Sequence, residues 1–154
     1  MFQQIYRTEI FAMKKIIALL LIGIAISACS DSKINNRNPY IPNYSFNVEI
    51  NLNLPLYSDL QYTGNGKLIT LNGAGANGII VFNAGGGNFK AYDASCPNQY
   101  ASSCSRLTVE GINAVCPCDD VMYSLFTGLA DADVEYPMKP YRVQVTGNVV
   151  RVYN

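Results

Sequence analysis

Residues 91 to 119 read AYDASCPNQYASSCSRLTVEGINAVCPCD. The segment holds four of the five cysteines of the chain, Cys96, Cys104, Cys116 and Cys118. An even number of closely spaced cysteines is typical of a disulfide framework when a protein is exported, and the N-terminal residues described below indicate export. Four cysteines can pair in three ways, so the spacing predicts two disulfides without deciding which cysteines they join.

The segments on either side of these cysteines have the pattern of β-strands. Upstream, residues 78–83 and 88–92 flank three glycines, which is a hairpin signal. Downstream, residues 141–145 and 149–153 flank Thr146-Gly147-Asn148, the clearest hairpin in the chain. Further strands are predicted at residues 45–52, 67–71, 107–110 and 121–126. Because no window after residue 28 has a convincing helical period, the sequence predicts an all-β sandwich or barrel.

One glycine motif does not indicate a nucleotide site. Gly73, Gly75 and Gly78 have the GxGxxG spacing of a dinucleotide-binding loop. Such a loop needs a helix directly after it, whereas a β-type run, residues 79–82, follows here. We therefore interpret the motif as a flexible turn between two strands.

The cysteine boxes resemble those of the Rieske family of iron–sulfur domains. That family holds a [2Fe-2S] cluster with C-x-H, a gap of about 15 to 17 residues, and C-x-x-H, in which two cysteines bind one iron and two histidines the other. Cys96-Pro97-Asn98 matches the first box and Cys116-Pro117-Cys118-Asp119 the second, except at the histidines, and 17 residues separate them. The resemblance covers roughly residues 66–154. It implies antiparallel sheets with the two cysteine-bearing loops side by side at one end.

The departures from the family pattern predict a site without a cluster. The chain contains no histidine, and Asn98 is a poor iron ligand, so we interpret Cys96, Asn98, Cys116 and Asp119 as a vestigial cluster site. The resemblance implies a disulfide between Cys96 and Cys116, which would otherwise face each other across the cluster. It also implies a disulfide between Cys104 and Cys118, the counterparts of a disulfide pair in Rieske domains of the respiratory type. We expect no cofactor. The alternatives are a [2Fe-2S] cluster with unusual ligands or an all-cysteine site for zinc or a cluster.

The N-terminal residues have the layout of a bacterial lipoprotein signal. Lys14 and Lys15 precede an apolar run at residues 16–26, which is too short to span a bilayer. The ending Ile26-Ser27-Ala28-Cys29 resembles the lipobox, whose cysteine is lipidated after cleavage. We expect residues 1–12 to be a spurious extension, 13–28 a signal peptide, 29–43 a flexible tether and 44–154 the Rieske-like β domain. The mature protein would then lie in the cell envelope, anchored to a membrane by lipid on Cys29, with the outer membrane favoured over the inner.

Composition excludes several functions. From residue 30 onward eight basic residues face ten acidic ones, without a basic stripe, so nucleic acid is not expected as a partner. The absence of histidine excludes Ser-His-Asp and Cys-His catalysis. We expect a binding or structural module with an unknown envelope protein as its partner, and not a hydrolase. The alternative function is electron transfer through a [2Fe-2S] cluster.

Overall fold

The computed structural model describes residues 37–154. The predicted extension, the signal peptide, the lipidation site Cys29 and the first eight residues of the tether lie outside these residues. Within the described part of the chain, no helix has the length and apolar character needed to cross a membrane.

Residues 37–154 form nine strands and one short 3-10 helix, which confirms the predicted all-β class. In chain order the elements are β1 (Asn47–Asn51), the 3-10 helix (Pro55–Gln61), β2 (Gly66–Ile69), β3 (Ile79–Gly85), β4 (Asn88–Asp93), β5 (Thr108–Glu110), β6 (Asn113–Val115), β7 (Met122–Ser124), β8 (Pro140–Thr146) and β9 (Val149–Tyr153). All pairings between these strands are antiparallel. Six strands form a sheet in the order β1-β9-β8-β4-β3-β2, and three form a second sheet in the order β5-β6-β7.

Strand β3 lies between two apolar cores. Its side chains alternate in direction, as in any strand, so Ile79 and Val81 enter one core and Ile80 and Phe82 the other. The first core joins β3 to β1, β9 and the 3-10 helix, and the second joins it to the small sheet. Burial on both faces explains why β3 is a continuous apolar run and not an alternating one. The second core also contains Cys96 and Cys116, so the cysteine loops extend from it.

Sequence patterns located the strands better than the short elements between them. Each predicted hairpin is present, at β3–β4 and at β8–β9. The 3-10 helix and β6 were not predicted, since seven and three residues are too few to establish a period. Strand β1 begins at Asn47, two residues after the predicted start.

The turn with the GxGxxG spacing is held by a buried aspartate. Asp93 is completely buried, and its carboxylate accepts hydrogen bonds from the Ala76 N–H at 2.7 Å, the Ser95 N–H at 2.7 Å and the Tyr141 hydroxyl at 2.7 Å. A Cβ at Gly75 would lie 2.8 Å from this carboxylate. The glycine therefore allows the backbone of the turn to approach Asp93, which also precedes the first cysteine loop.

The end of the predicted tether packs on the domain. Ile41 is only 2 % exposed, and the Lys139 ammonium donates hydrogen bonds to the carbonyl oxygens of Ile41 at 3.4 Å and Pro42 at 2.9 Å. The Asn38 amide donates to the carbonyl oxygen of Pro97 at 2.8 Å. Residues 38–43 are thus part of the folded unit and reach the first cysteine loop. We call them the docked segment.

Candidate functional site

The first cysteine loop leaves β4 and is closed at its base by backbone hydrogen bonds. The Leu107 N–H donates to the Ala94 carbonyl at 2.7 Å, and the Cys96 N–H donates to the Ser105 carbonyl at 2.8 Å. Between these bonds the chain runs through the Cys-Pro-Asn box and an exposed arm that carries Cys104. The base of the loop therefore fixes Cys96 and leaves Cys104 toward solvent.

The second cysteine loop is a tight turn between β6 and β7. The Asp120 N–H donates to the Cys116 carbonyl at 2.8 Å, and the Cys116 N–H donates to the Val121 carbonyl at 3.0 Å. Asp120 adopts a φ of 58°, a left-handed conformation that aspartate tolerates better than most residues. This turn places Cys116 inward and Cys118 nearer the surface.

Two disulfides join the loops. Cys96 and Cys116 form one, with their Cα atoms 5.5 Å apart, and Cys104 and Cys118 form the other, with a Cα distance of 5.1 Å. Both distances lie within the usual range for disulfides. Cys96 and Cys116 are 0 % exposed, whereas Cys104 is exposed and Cys118 partly exposed. We call the first pair the inner bridge and the second the outer bridge.

Asn98 holds the first loop against the chain that follows β7. Its side-chain nitrogen donates to the Tyr123 hydroxyl at 3.1 Å and to the Tyr136 carbonyl at 2.8 Å. Its side-chain oxygen accepts a hydrogen bond from the Tyr136 N–H at 2.9 Å. Burial raises the pKa of Tyr123 although the Asn98 hydrogen bond opposes that shift, so Tyr123 stays a neutral partner at physiological pH. Both polar atoms of the Asn98 amide are thus engaged within the protein.

Asp119 joins the second loop to the first. Its Oδ2 accepts a hydrogen bond from the Gln99 amide at 2.7 Å, and its Oδ1 accepts one from the Val121 N–H at 3.2 Å. The two residues at the histidine positions of the family therefore both make contacts that fix the loops. All four residues of the predicted vestigial site lie in these two facing loops.

This donor set does not fit a Rieske cluster. Such a cluster needs two thiolates and two imidazoles, whereas the two sulfur atoms here are joined to each other and the chain has no histidine. Within residues 37–154, the Sγ atoms of Cys96, Cys116 and Cys118 form the one group of three potential metal ligands, all within 4.8 Å of one another. In the disulfide form these sulfur atoms are not thiolates, which are the form of cysteine that binds metals.

Several residues of the site were not predicted from the sequence. Gln99 and Tyr136 hold the loops through hydrogen bonds to Asp119 and Asn98, and Ser102 places its hydroxyl beside both sulfur atoms of the outer bridge. None of them belongs to a motif. The Gln99–Asp119, Asn98–Tyr136 and Ser102–Cys118 contacts join residues 20, 38 and 16 positions apart, so no local pattern would have identified them.

Comparisons with known proteins give a likeness in solved structures alone. No family model and no curated protein matches the chain. One chain of a structure described as the complex of reduced oxygenase and oxidized ferredoxin in carbazole 1,9a-dioxygenase has 26 % sequence identity and a TM-score of 0.45, and the match covers 62 % of this chain and 85 % of that one. A putative NADH-dependent nitrite reductase small subunit from Mycobacterium tuberculosis has 19 % identity and a TM-score of 0.46, with 73 % and 97 % covered.

A third similar structure carries the family name in its description. It is the apo form of a quaternary ammonium Rieske monooxygenase, with 18 % identity and a TM-score of 0.48, and the match covers 71 % of this chain and 32 % of that one. The chain described here has antiparallel sheets and two cysteine-bearing loops side by side, as predicted. It is an all-β domain, and Rieske-type proteins are among the solved structures to which it is similar.

Proposed function

We propose that this protein is a cell-envelope lipoprotein whose Rieske-like domain holds no cluster and acts as a binding or structural module. The proposal rests on one observation, namely that all four residues of the vestigial site are bonded within the protein. Asn98 and Asp119, at the histidine positions, bond to the protein on both of their polar atoms. Cys96 and Cys116, at the cysteine positions, bond to each other.

The disulfide and the hydrogen bonds stabilise this closed arrangement of the loops. A disulfide that closes a loop of 20 residues stabilises a domain by about 3 kcal/mol in the chain-entropy model. Each hydrogen bond of Asn98 and Asp119 adds roughly 0.5–1.5 kcal/mol. Binding iron would require reduction of the disulfide and would still leave one iron without imidazole ligands. The loops are therefore better suited to present a rigid surface than to exchange electrons through a cluster.

The anchor is proposed from the lipobox. Lipid on Cys29 would hold the domain at a membrane, the outer one being favoured, and an envelope protein would be its partner. Nine residue steps separate Cys29 from Asn38, where the docked segment begins, and an extended chain covers about 30 Å over that length. This reach keeps the domain close to the membrane, where a partner would also have to lie.

Metal analysis and spectroscopy test the cluster-free proposal. The full chain, purified without reductant and kept from air until it is measured, is expected to contain neither iron nor zinc in stoichiometric amount. It should be colourless and give no EPR signal after dithionite reduction. A Rieske ferredoxin taken through the same purification is the control for cluster loss. Stoichiometric iron with visible absorbance would overturn the proposal.

The alternative is an electron carrier with a [2Fe-2S] cluster and unusual ligands. One observation favours it, namely that Cys96, Cys116 and Cys118 bring three sulfur atoms within 4.8 Å of one another. If both bridges were reduced, these three thiolates would be the candidate cluster ligands. An EPR signal from protein isolated in the reduced state, together with two irons per chain, would support this alternative.

A further inference from the structure

The two disulfides lie close to each other. The Sγ atom of Cys118, which belongs to the outer bridge, is within 4.8 Å of both sulfur atoms of the inner bridge. Cys104, its partner, is not a member of this group of three. A thiolate released at Cys118 would therefore lie near both sulfur atoms of the inner bridge, whereas Cys104 Sγ does not lie within 4.8 Å of both.

The two bridges differ in their access to solvent. Both cysteines of the inner bridge are completely buried, while Cys104 of the outer bridge is exposed and Cys118 partly so. A reductant can thus reach the outer bridge directly and the inner bridge only after the loops open. Access of this kind controls the rate of thiol–disulfide exchange.

A serine hydroxyl lies beside the outer bridge. Ser102 Oγ lies 3.3 Å from Cys104 Sγ and 3.7 Å from Cys118 Sγ. Because disulfide sulfur carries no hydrogen, the hydroxyl is the donor in both contacts. The same hydroxyl can donate to the thiolate that leaves when the outer bridge is attacked.

We propose that the two bridges form a thiol–disulfide relay in which Cys118 passes a reducing equivalent from the exposed bridge to the buried one. A thiolate of an external dithiol attacks Cys104 Sγ, and Cys118 leaves as a thiolate. The second thiol of the donor then resolves the mixed disulfide, which frees Cys104 and leaves the donor oxidised. This step transfers two electrons and two protons from the donor to the outer pair.

Transfer to the inner pair follows by exchange. The Cys118 thiolate attacks Cys96 Sγ to form a Cys96–Cys118 bridge, and Cys116 leaves as a thiolate and takes up a proton. The Cys104 thiolate then attacks Cys118 Sγ, which restores the outer bridge and releases Cys96 as a thiol. The net reaction converts a dithiol and the inner disulfide into an oxidised donor and two buried thiols. Attack of Cys118 on Cys116 is disfavoured, because it would bridge cysteines only two residues apart.

Two single substitutions in the full chain test the relay. Cys104→Ser leaves Cys118 as a free thiol beside the inner bridge, and Cys118→Ser leaves Cys104 as a free thiol outside the group. Both variants lose the same bridge, so each controls for the stability that the other loses. Each is held at pH 8, quenched with acid, unfolded and alkylated with N-ethylmaleimide, and tandem mass spectrometry locates the label and the remaining bridge.

We expect the Cys104→Ser variant to carry label on Cys116 as well as on Cys118, together with a Cys96–Cys118 bridge. Among the four loop cysteines, the Cys118→Ser variant should carry label on Cys104 alone and keep the inner bridge; a Cys29 that is not lipidated is labelled alike in both variants. With dithiothreitol as the probe, the inner bridge of Cys104→Ser should also be reduced faster than that of Cys118→Ser. The relay is overturned if both variants label only their free thiol and are reduced at equal rates. Equal scrambling in both variants also overturns it, because the exchange would then not depend on Cys118.

Discussion

Asn98 shows how one substitution changes the role of a position. In the family pattern this position is a histidine that binds iron, whereas here a neutral amide makes three hydrogen bonds across two chain segments. An amide suits that geometry because it offers donors and an acceptor in one plane. The sequence predicted that Asn98 would not serve as an iron ligand. It could not predict the bonds to Tyr123 and Tyr136, which depend on contacts 25 and 38 residues away.

Replacement of Asn98 should weaken the loop cluster. In Asn98→Ala the N–H and carbonyl of Tyr136 lose their partner in a part-buried contact, and two lost hydrogen bonds at about 0.5–1.5 kcal/mol each cost about 1–3 kcal/mol together. We expect a loss of stability in this range in urea unfolding with the disulfides intact. Asn98→Asp is the matched comparison, because it keeps the acceptor for the Tyr136 N–H but sets a carboxylate oxygen against the Tyr136 carbonyl oxygen, so it should also lose stability. Equal stability of Asn98→Ala and the parent protein would contradict a holding role.

Tyr92 should make the domain sensitive to alkaline pH. Tyr92 is 4 % exposed, and burial raises its pKa to about 12, whereas an unfolded tyrosine titrates near pH 10. The folded state then holds the proton more tightly, so the stabilisation is complete below about pH 10 and is lost as pH rises toward about 12. In Tyr92→Phe the decline of the unfolding free energy between pH 10 and 12 should be smaller, as measured by urea unfolding. Burial also raises the pKa of Tyr141, the Asp93 carboxylate adding to the shift, so a residual decline is expected.

At the scale of the elements, close packing between turns and strands decides which glycines are required. Gly128 follows β7 at a φ of 76°, and a Cβ there would lie 2.8 Å from the Tyr92 ring. Gly147 turns the β8–β9 hairpin at a φ of 57°, with no atom within 4 Å of its Cβ position. The two positions share the backbone conformation and differ in their surroundings.

Alanine substitutions at these two glycines distinguish the cost of backbone strain from the cost of disturbed packing. Gly147→Ala should cost about 1–2 kcal/mol from the left-handed conformation alone. Gly128→Ala should cost more, because the added methyl also displaces the buried Tyr92 ring. Thermal unfolding of the two variants side by side measures the difference. Equal losses would mean that the Tyr92 ring yields without cost, which would contradict tight packing at this turn.

The elements that the sequence could predict are those that depend on local residues alone. Strands β8 and β9 alternate polar and apolar residues around a turn triplet, so local chemistry was sufficient. Strand β6 has only three residues, and its place in the small sheet depends on pairing with β5 and β7. The docked segment has the prolines and asparagines of a linker, yet Ile41 is buried through contacts that include Lys139, nearly a hundred residues later. Burial lowers the pKa of Lys139, although the Asp93 charge opposes this shift.

For the whole molecule, the docked segment determines which end of the domain lies near the proposed anchor. Asn38 donates to Pro97 in the first cysteine loop, and the Tyr40 ring contacts the rings of Tyr100 and Tyr136 at centroid distances of 4.9 and 5.9 Å. Asn38, the first residue of the docked segment, therefore lies at the cysteine-loop end of the domain. If Cys29 carries lipid, this end lies within about 30 Å of the membrane surface, since nine extended residues span no more. A partner that binds the loops would have to approach within that gap.

Lipidation itself is the last prediction, and it rests on the sequence Ile26-Ser27-Ala28-Cys29. Mass spectrometry of the membrane fraction should show a mature chain that begins at an acylated Cys29. Cys29→Ser removes the thiol that carries the lipid, so the variant should remain uncleaved or appear in the soluble fraction. The double variant Cys104→Ser/Cys118→Ser is the control, because it removes two other thiols and should stay in the membrane fraction. An intact, unlipidated N-terminus at Met13 in native membranes would show that the chain is not a lipoprotein, and the cluster-free site would then need a function away from the envelope.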